Sequence, residues 1–254
     1  PDLRKKWDAY FNDQPTKDFS ELEFAEMDKM ATRDASGKSL NFMAQKYENL
    51  VGGSADLAGP NKTVLKDCDG IFNPQNRTGR TIEFGIREFA MSAVVSGMNL
   101  HGGLRPFCAT FLVFADYLRA QLRVAALMNL PNIYVLTHDS IYVGEDGPTH
   151  QPVETLSSLR AIPNVQVLRP ADAQETLEAW KMAYESKNHP VCIALTRQAI
   201  QGFAKADKDW KNSIRKNGAY VALDCEGAPE ITILATGSEV STSIEAASIS
   251  GNKK

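Results

Sequence analysis

Short apolar runs alternate with helical stretches along most of this chain, and that alternation constrains the fold more than any other feature. Leu50 to Ser54 (LVGGS), Thr81 to Phe84 (TIEF), Arg105 to Thr110 (RPFCAT), Asn132 to Leu136 (NIYVL), Val165 to Leu168 and Val191 to Thr196 (VCIALT) read as strands. Between them lie segments of helical character. Leu40, Ala44 and Tyr47 recur at helical spacing within residues 34–49. Arg87 to Leu100 is stopped by His101-Gly102-Gly103. Phe111 to Leu130 reads as one helix of roughly six turns, ended by Pro131. A helix near residues 153–160 follows, then one from Asp172 to Lys187 with Asp172 at its start. The implied architecture is α/β: a doubly wound, mostly parallel sheet covered on both faces.

The flanks depart from this rhythm. Residues 1–30 read as two short amphipathic helices around Pro15, an N-terminal helical extension. The main domain is expected over residues 31–200. Within it, residues 55–80 are rich in Gly, Pro, Asn and Asp and form a long loop, which in a compact domain is usually functional. Residues 201–229 are lysine-rich, without a strong period, and read as a linker. A second α/β unit is expected over residues 230–254, with ITILAT as strand and TGSEVSTSIEAA as turn and helix. One βα unit cannot bury both faces of a sheet, so this piece is expected to be truncated or to pack on something else.

Composition narrows the class of partner. A formal net charge of -3 offers no basic excess for nucleic acid or an anionic membrane surface. No apolar run approaches the ~18 residues that span a bilayer. Four scattered cysteines without a CxxC pair point to reduced thiols, a cytoplasmic location and no zinc site. Asp67-Cys68-Asp69-Gly70 with Asn73 is too poor in acids for a divalent-metal loop, so no metal ligands are assigned.

The chemistry gathers in a few places. Thr137 to Pro152 (THDSIYVGEDGPTHQP) follows a buried strand and holds His138, Asp139, Glu145, Asp146 and His150. Loops at the carboxyl ends of parallel strands line the ligand crevice, where such groups transfer protons or grip hydroxyls. The plainer reading is a polar surface loop. Glu88 begins the helix after TIEF among Ile86, Phe89, Ala90 and Met91. It is either a first-turn acid on the helix dipole or a carboxyl in an apolar crevice that shares a proton with a ligand nitrogen. Phe111, Phe114 and Tyr117 form either a core stripe or an aromatic wall for a planar heterocycle. Arg33 and Arg197 suit phosphate through the planar guanidinium fork, or surface ion pairs.

Taken together these residues resemble the transketolase family. GGSADL (Gly52 to Leu57), EFGIREFAM (Glu83 to Met91), LHGG (Leu100 to Gly103), ATFLVFADYLR (Ala109 to Arg119), THDSI and GEDGPTHQPVE (Gly144 to Glu154) stand in the family's order, from about residue 30 to about residue 247. GEDGPTHQP is the most specific of them. The resemblance implies thiamin diphosphate as cofactor and transfer of a two-carbon ketol unit between sugar phosphates in the pentose phosphate pathway. It leaves open a dihydroxyacetone synthase, a related two-carbon transferase or a non-catalytic binding module. By resemblance Glu88 hydrogen-bonds the cofactor's aminopyrimidine and promotes its activation. Phe111, Phe114 and Tyr117 form the pyrimidine pocket, and Asp56 is a structural aspartate near the cofactor. His138, Asp146 and His150 contact substrate hydroxyls and phosphate, with His138 and His150 counted as catalytic alongside Glu88. Arg33 and Arg197 bind the sugar phosphate, and His101 is a further active-site histidine. Where the family usually has a phosphate-binding serine before the asparagine, this chain has Pro60 before Asn61. The resemblance further implies Mg2+ or Ca2+, with ligands on a diphosphate-binding domain that this chain lacks. A homodimer, or pairing with such a domain, is the implied assembly, and the isolated chain is expected to be inactive.

Overall fold

The computed structural model describes residues 2–12, 19 and 21–249. In chain order the elements are α1 (Asp2–Phe11), β1 (Lys29–Ala31), α2 (Thr32–Lys46), β2 (Leu50–Ser54), α3 (Ala58–Asn61), β3 (Thr81–Glu83), α4 (Glu88–His101), β4 (Arg105–Phe111) and α5 (Ala115–Leu127). Then come β5 (Ile133–Thr137), α6 (Thr155–Arg160), β6 (Gln166–Leu168), α7 (Ala173–Glu185), β7 (Val191–Leu195), β8 (Ala199–Gln201), α8 (Trp210–Asn217) and α9 (Glu239–Ile249).

Six strands form one sheet in the order β3-β2-β4-β5-β7-β6, all parallel. Its strands are apolar on both sides because both faces are covered. Phe107, Ala109, Ile133, Val135, Val191 and Ile193 meet Leu40 and Met43 of α2 and Trp180 and Ala183 of α7. The alternate residues Cys108, Tyr134, Leu136 and Cys192 meet Met91 and Val95 of α4, Leu118 and Leu122 of α5, and Leu159 of α6. This period-two division is the doubly wound arrangement that the alternation implied. Gly53 lets β2 and β3 close up: a Cβ there would lie 1.8 Å from the Ile82 carbonyl oxygen. Trp180 is fully buried, and its Nε1 donates to Ser36 Oγ at 2.8 Å, which pins α7 to α2.

Several local expectations are corrected. The first N-terminal helix forms as α1, while Pro15 lies outside the described residues. The second does not form: residues 21–28 run irregularly, and β1 pairs antiparallel with β8. Phe24, with Leu22 and Met30, packs against Ala35, Ala173 and Leu177, and that tertiary burial outweighs local helical pattern. The expected helix 111–130 is three pieces. Phe111 ends β4, Leu112–Phe114 form a 3-10 turn, and α5 stops at Leu127, with Asn129 left-handed just beyond it. The β4 register with β5 continues through Phe111 and Thr137, so pairing claims Phe111 for the sheet. Residues 201–229 contain α8 and the buried Lys205, whose ammonium reaches Asp172. ITILAT makes no strand, and Ile231, Ile233 and Leu234 are exposed. A strand needs a neighbour for its backbone groups, and the described residues provide none there. The helix after it does form, as α9. Among the described residues no helix is long and apolar enough to cross a membrane.

Candidate active site

The carboxyl ends of β2, β3, β4, β5 and β7 open on one side, and the candidate residues other than His101 lie at or near them. A groove of about 720 Å³ is lined by Ala55, Asp56, Leu57, Ile86, Arg87, Glu88, Phe89, Ala90, Phe114 and Tyr117. Glu88 is the first residue of α4, a short turn (residues 84–87) after the β3 end, and only 7% exposed. Among the described residues its carboxylate has one hydrogen bond, from Thr110 Oγ1 at a long 3.5 Å. A buried carboxylate with such slack contact retains acceptor capacity for a ligand donor. Phe114 and Tyr117 stand on the rim with ring centroids 6.1 Å apart, and Tyr117 is 65% exposed. An aromatic that exposed is no core residue, which argues against the core-stripe reading for Tyr117. Asp56 sits in the groove wall with a left-handed φ of 60°. Phe111 is not in the groove lining; its ring lies flat on His138, centroids 3.6 Å apart.

Beside the groove lies a cationic corner. Arg33 and Arg197 are far apart in sequence, and a threonine clamp brings them together. Thr32 N donates to Thr196 Oγ1 at 2.9 Å, Thr196 N donates to Thr32 Oγ1 at 2.7 Å, and Arg33 N donates to the Thr196 carbonyl at 3.4 Å. The start of α2 is thereby tied to the end of β7, and the next side chain on each is an arginine. Burial lowers the Arg33 guanidinium below its ordinary range, and Arg197 adds like-charge repulsion that Asp34 opposes. Arg33 Nε is buried without a hydrogen-bond partner, and Nη1 donates to the Pro60 carbonyl at 3.2 Å. Arg197 reaches Glu145 of the 144–152 loop at 3.5 Å, with Glu145 84% exposed. Two cations facing each other with weak counter-charge form a corner suited to an anion.

His138 is only 3% exposed and has a left-handed φ of 61° at the end of β5. Its pKa is lowered to about 3, by burial first and then by Arg33, Arg197 and His150. The imidazole is therefore neutral at neutral pH. His150 packs edge-on against Phe114 at 5.2 Å and links groove to corner. Asp146 is exposed on the turn closed by Gly147 N to the Gly144 carbonyl. His101 is not at the site. It ends α4, so it stands about 20 Å along the helix from Glu88 at 1.5 Å per residue. Its ring lies near Phe11 of α1. Sequence reasoning missed Leu57 and the groove role of Ile86 and Phe89, which are 78% and 53% exposed. It also missed Thr137 and Arg169, since partners distant in sequence carry no local signal. Among the described residues no group of three or more His, Cys, Asp or Glu is placed to hold a metal.

A doubly wound parallel sheet with a groove at the carboxyl ends of its strands, floored by Glu88 and flanked by Arg33 and Arg197, defines an α/β domain of the kind that places ligand sites at its strand ends. The chain belongs to the transketolase family: the family model "Transketolase, pyrimidine binding domain" matches residues 28–202. A transketolase of Treponema pallidum is 52% identical over 255 residues, covering 98% of this chain and 38% of that protein. The transketolase of Pichia stipitis in complex with sedoheptulose 7-phosphate has a similar structure. Its TM-score is 0.91 at 36% identity, over 98% of this chain and 37% of that one. A split-gene transketolase described as an inactive beta4 tetramer has a TM-score of 0.56 at 31% identity, over 71% of this chain and 56% of that one. The chain thus spans about a third of the length of the curated relatives it matches.

Proposed function

We propose that this chain is the pyrimidine-binding part of a transketolase, which moves a two-carbon ketol unit between sugar phosphates in the pentose phosphate pathway. The observation that carries the reading is Glu88, a nearly buried carboxylate with one long hydrogen bond, at the floor of an apolar groove rimmed by Phe114 and Tyr117. Those residues fit an aminopyrimidine: a flat apolar ring against aromatic edges and one carboxylate for a ring nitrogen. When bound, thiamin diphosphate supplies the nucleophilic carbon and electron sink of the reaction. Glu88 holds a proton shared with that ring, and Leu57, Ile86 and Phe89 exclude water around it. Arg33 and Arg197 bind the sugar phosphate, and His138, His150 and Asp146 contact substrate hydroxyls. Asp56 shapes the groove wall. Phe111 acts as a support under His138 rather than as a pocket wall, and His101 is left out of the site.

The groove is one-sided. Mg2+ or Ca2+ and the diphosphate are held by residues outside those described, on a diphosphate-binding domain of the same enzyme. Phe89, Val94 and Leu100 of α4 and Tyr117, Val124 and Leu127 of α5 are exposed large hydrophobics, and such a surface favours pairing in a homodimer or with that domain. The similarity to a split-gene transketolase whose beta chains form an inactive tetramer supports the same view. A cytoplasmic location goes with this reading. Three cysteines are buried, and all four described are without disulfides. In the completed enzyme, Glu88→Gln removes a proton-sharing group and keeps its size. Turnover at saturating thiamin diphosphate is expected to fall ~10²–10⁴-fold with unchanged circular dichroism. Near-normal turnover would sink the assignment of Glu88.

A further inference from the structure

A line of buried hydrogen bonds runs behind the cationic corner, and the function above uses only its His138 and Arg33 end. Ser54 Oγ and Thr63 Oγ1 are 2.6 Å apart, and Asn61 Nδ2 donates to Ser54 Oγ at 3.2 Å. Thr137 Oγ1 lies 2.6 Å from Asn61 Oδ1 and 2.8 Å from His138 Nδ1. At the far end Arg33 Nη1 lies 3.4 Å from His138 Nε2. Ser54, Asn61, Thr63, Thr137 and His138 are all buried.

Proton counting gives this line a direction. A separation of 2.6 Å is short for N–H···O and ordinary for O–H···O, so Asn61 presents its oxygen to Thr137 and the Thr137 hydroxyl donates. A threonine hydroxyl has one proton to give. With that proton committed to Asn61, Thr137 Oγ1 only accepts from the imidazole. His138 Nδ1 therefore carries the ring proton, and Nε2 is a bare lone pair. Arg33 Nη1 has only protons to offer, which suits that lone pair. Neutrality of the ring, with its pKa near 3, agrees with the count. The Phe111 ring stacked at 3.6 Å fixes the imidazole plane.

We propose that Asn61 and Thr137 are positioning residues that lock His138 in its Nδ1–H tautomer, so that Nε2 accepts from Arg33 and holds its guanidinium toward the anion site. His138 then offers no donor to phosphate from Nε2; it accepts from Arg33 or from a substrate hydroxyl. Only the role given to Arg33 rests on the function proposed above; the tautomer does not.

The test is a long-range ¹H–¹⁵N correlation spectrum of the ¹⁵N-labelled chain at neutral pH. The chain has four histidines, and the set lost in His138→Gln assigns His138. A protonated Nδ1 and an unprotonated Nε2 are expected. Thr137→Val removes the acceptor and is expected to populate the Nε2–H tautomer. It should also weaken inorganic phosphate binding by about two- to tenfold, the range that one neutral hydrogen bond supplies. Thr137→Ser is expected to restore both readouts. A proton on Nε2 in the unmodified chain overturns the proposal without any variant having to fold. An unchanged Nδ1–H signature in Thr137→Val overturns it as well. A locked Nδ1–H tautomer with no phosphate binding in any form would support the lock and overturn the role of Arg33 alone.

Discussion

The residue after His138 anchors the strand end on which the site depends, and Arg169→Met tests that anchor. The Asp139 side chain is fully buried, and its Oδ2 accepts from Arg169 Nε at 2.7 Å. Its Oδ1 is buried without a partner. Burial raises the Asp139 carboxyl above its ordinary range, against the opposing pull of Arg169. Arg169 also donates to the Thr236 carbonyl at 3.0 Å and pairs with Glu239 at the start of α9. Gly237, with a φ of 61°, wraps this side chain closely: a Cβ there would lie 2.6 Å from Arg169 Nε. Methionine fills similar volume but leaves a buried carboxylate with neither oxygen satisfied. Removing one partner of a buried ion pair costs roughly 3–5 kcal/mol. At about 2–4 °C per kcal/mol for a chain of this size, Tm should fall by roughly 6–20 °C at neutral pH. The sign with pH follows from the raised carboxyl: its stability is present at low pH and lost as pH rises through its folded pKa, so the deficit should shrink as pH falls. Arg169→Met with Asp139→Asn removes the stranded charge and should recover much of the loss. Because α9 has no buried residue, Arg169→Met should also release residues 239–249 to limited proteolysis. Calorimetric or circular-dichroism melts of the four forms decide the matter. A loss under about 1 kcal/mol for Arg169→Met, or no recovery in the double variant, would show that Arg169 does not hold the Asp139 carboxylate in place.

Two further perturbations probe the anion corner and a buried acid. In the completed enzyme Arg197→Ala should raise KM for phosphorylated sugars about 10–150-fold more than for unphosphorylated ones, the loss of one charge-assisted contact. Equal effects on both would remove Arg197 from the phosphate. Glu175 is pushed up to about 7 by burial first and by Asp172 second, while it accepts from Tyr220 and from Ala171 N. The stability tied to its protonated form is present below the ordinary glutamate range and lost as pH rises to about 7, so Glu175→Gln should gain on the parent chain by up to ~1.4 kcal/mol per pH unit across that window. A pH-independent difference in Tm would show that Glu175 does not titrate there.

Much of this was readable in the amino-acid order, and the rest fails for identifiable reasons. Apolar runs such as NIYVL and VCIALT announce strands buried on both faces because every position in them packs. Glu88 announces itself as an acid among apolar residues at a strand end. Phe111 could not be separated from the helix after it, because a period of three suits helix and strand end alike until pairing with Thr137 decides. ITILAT has a strand's composition and no strand, since composition does not supply a neighbour. The meeting of Arg33 with Arg197 depends on Thr32 and Thr196, and the tautomer of His138 on Asn61 and Thr137. Both are set by contacts between distant segments, to which local pattern is blind.

On the proposed function, this chain contributes one side of a cofactor site. Titration calorimetry of the purified chain with thiamin diphosphate and Mg2+, alone and after addition of a transketolase diphosphate-binding domain, tests it most directly. Weak heats and no ketol transfer are expected for the chain alone, with tight binding and turnover once the domain is added. Micromolar binding or ketol transfer by the chain alone would contradict it.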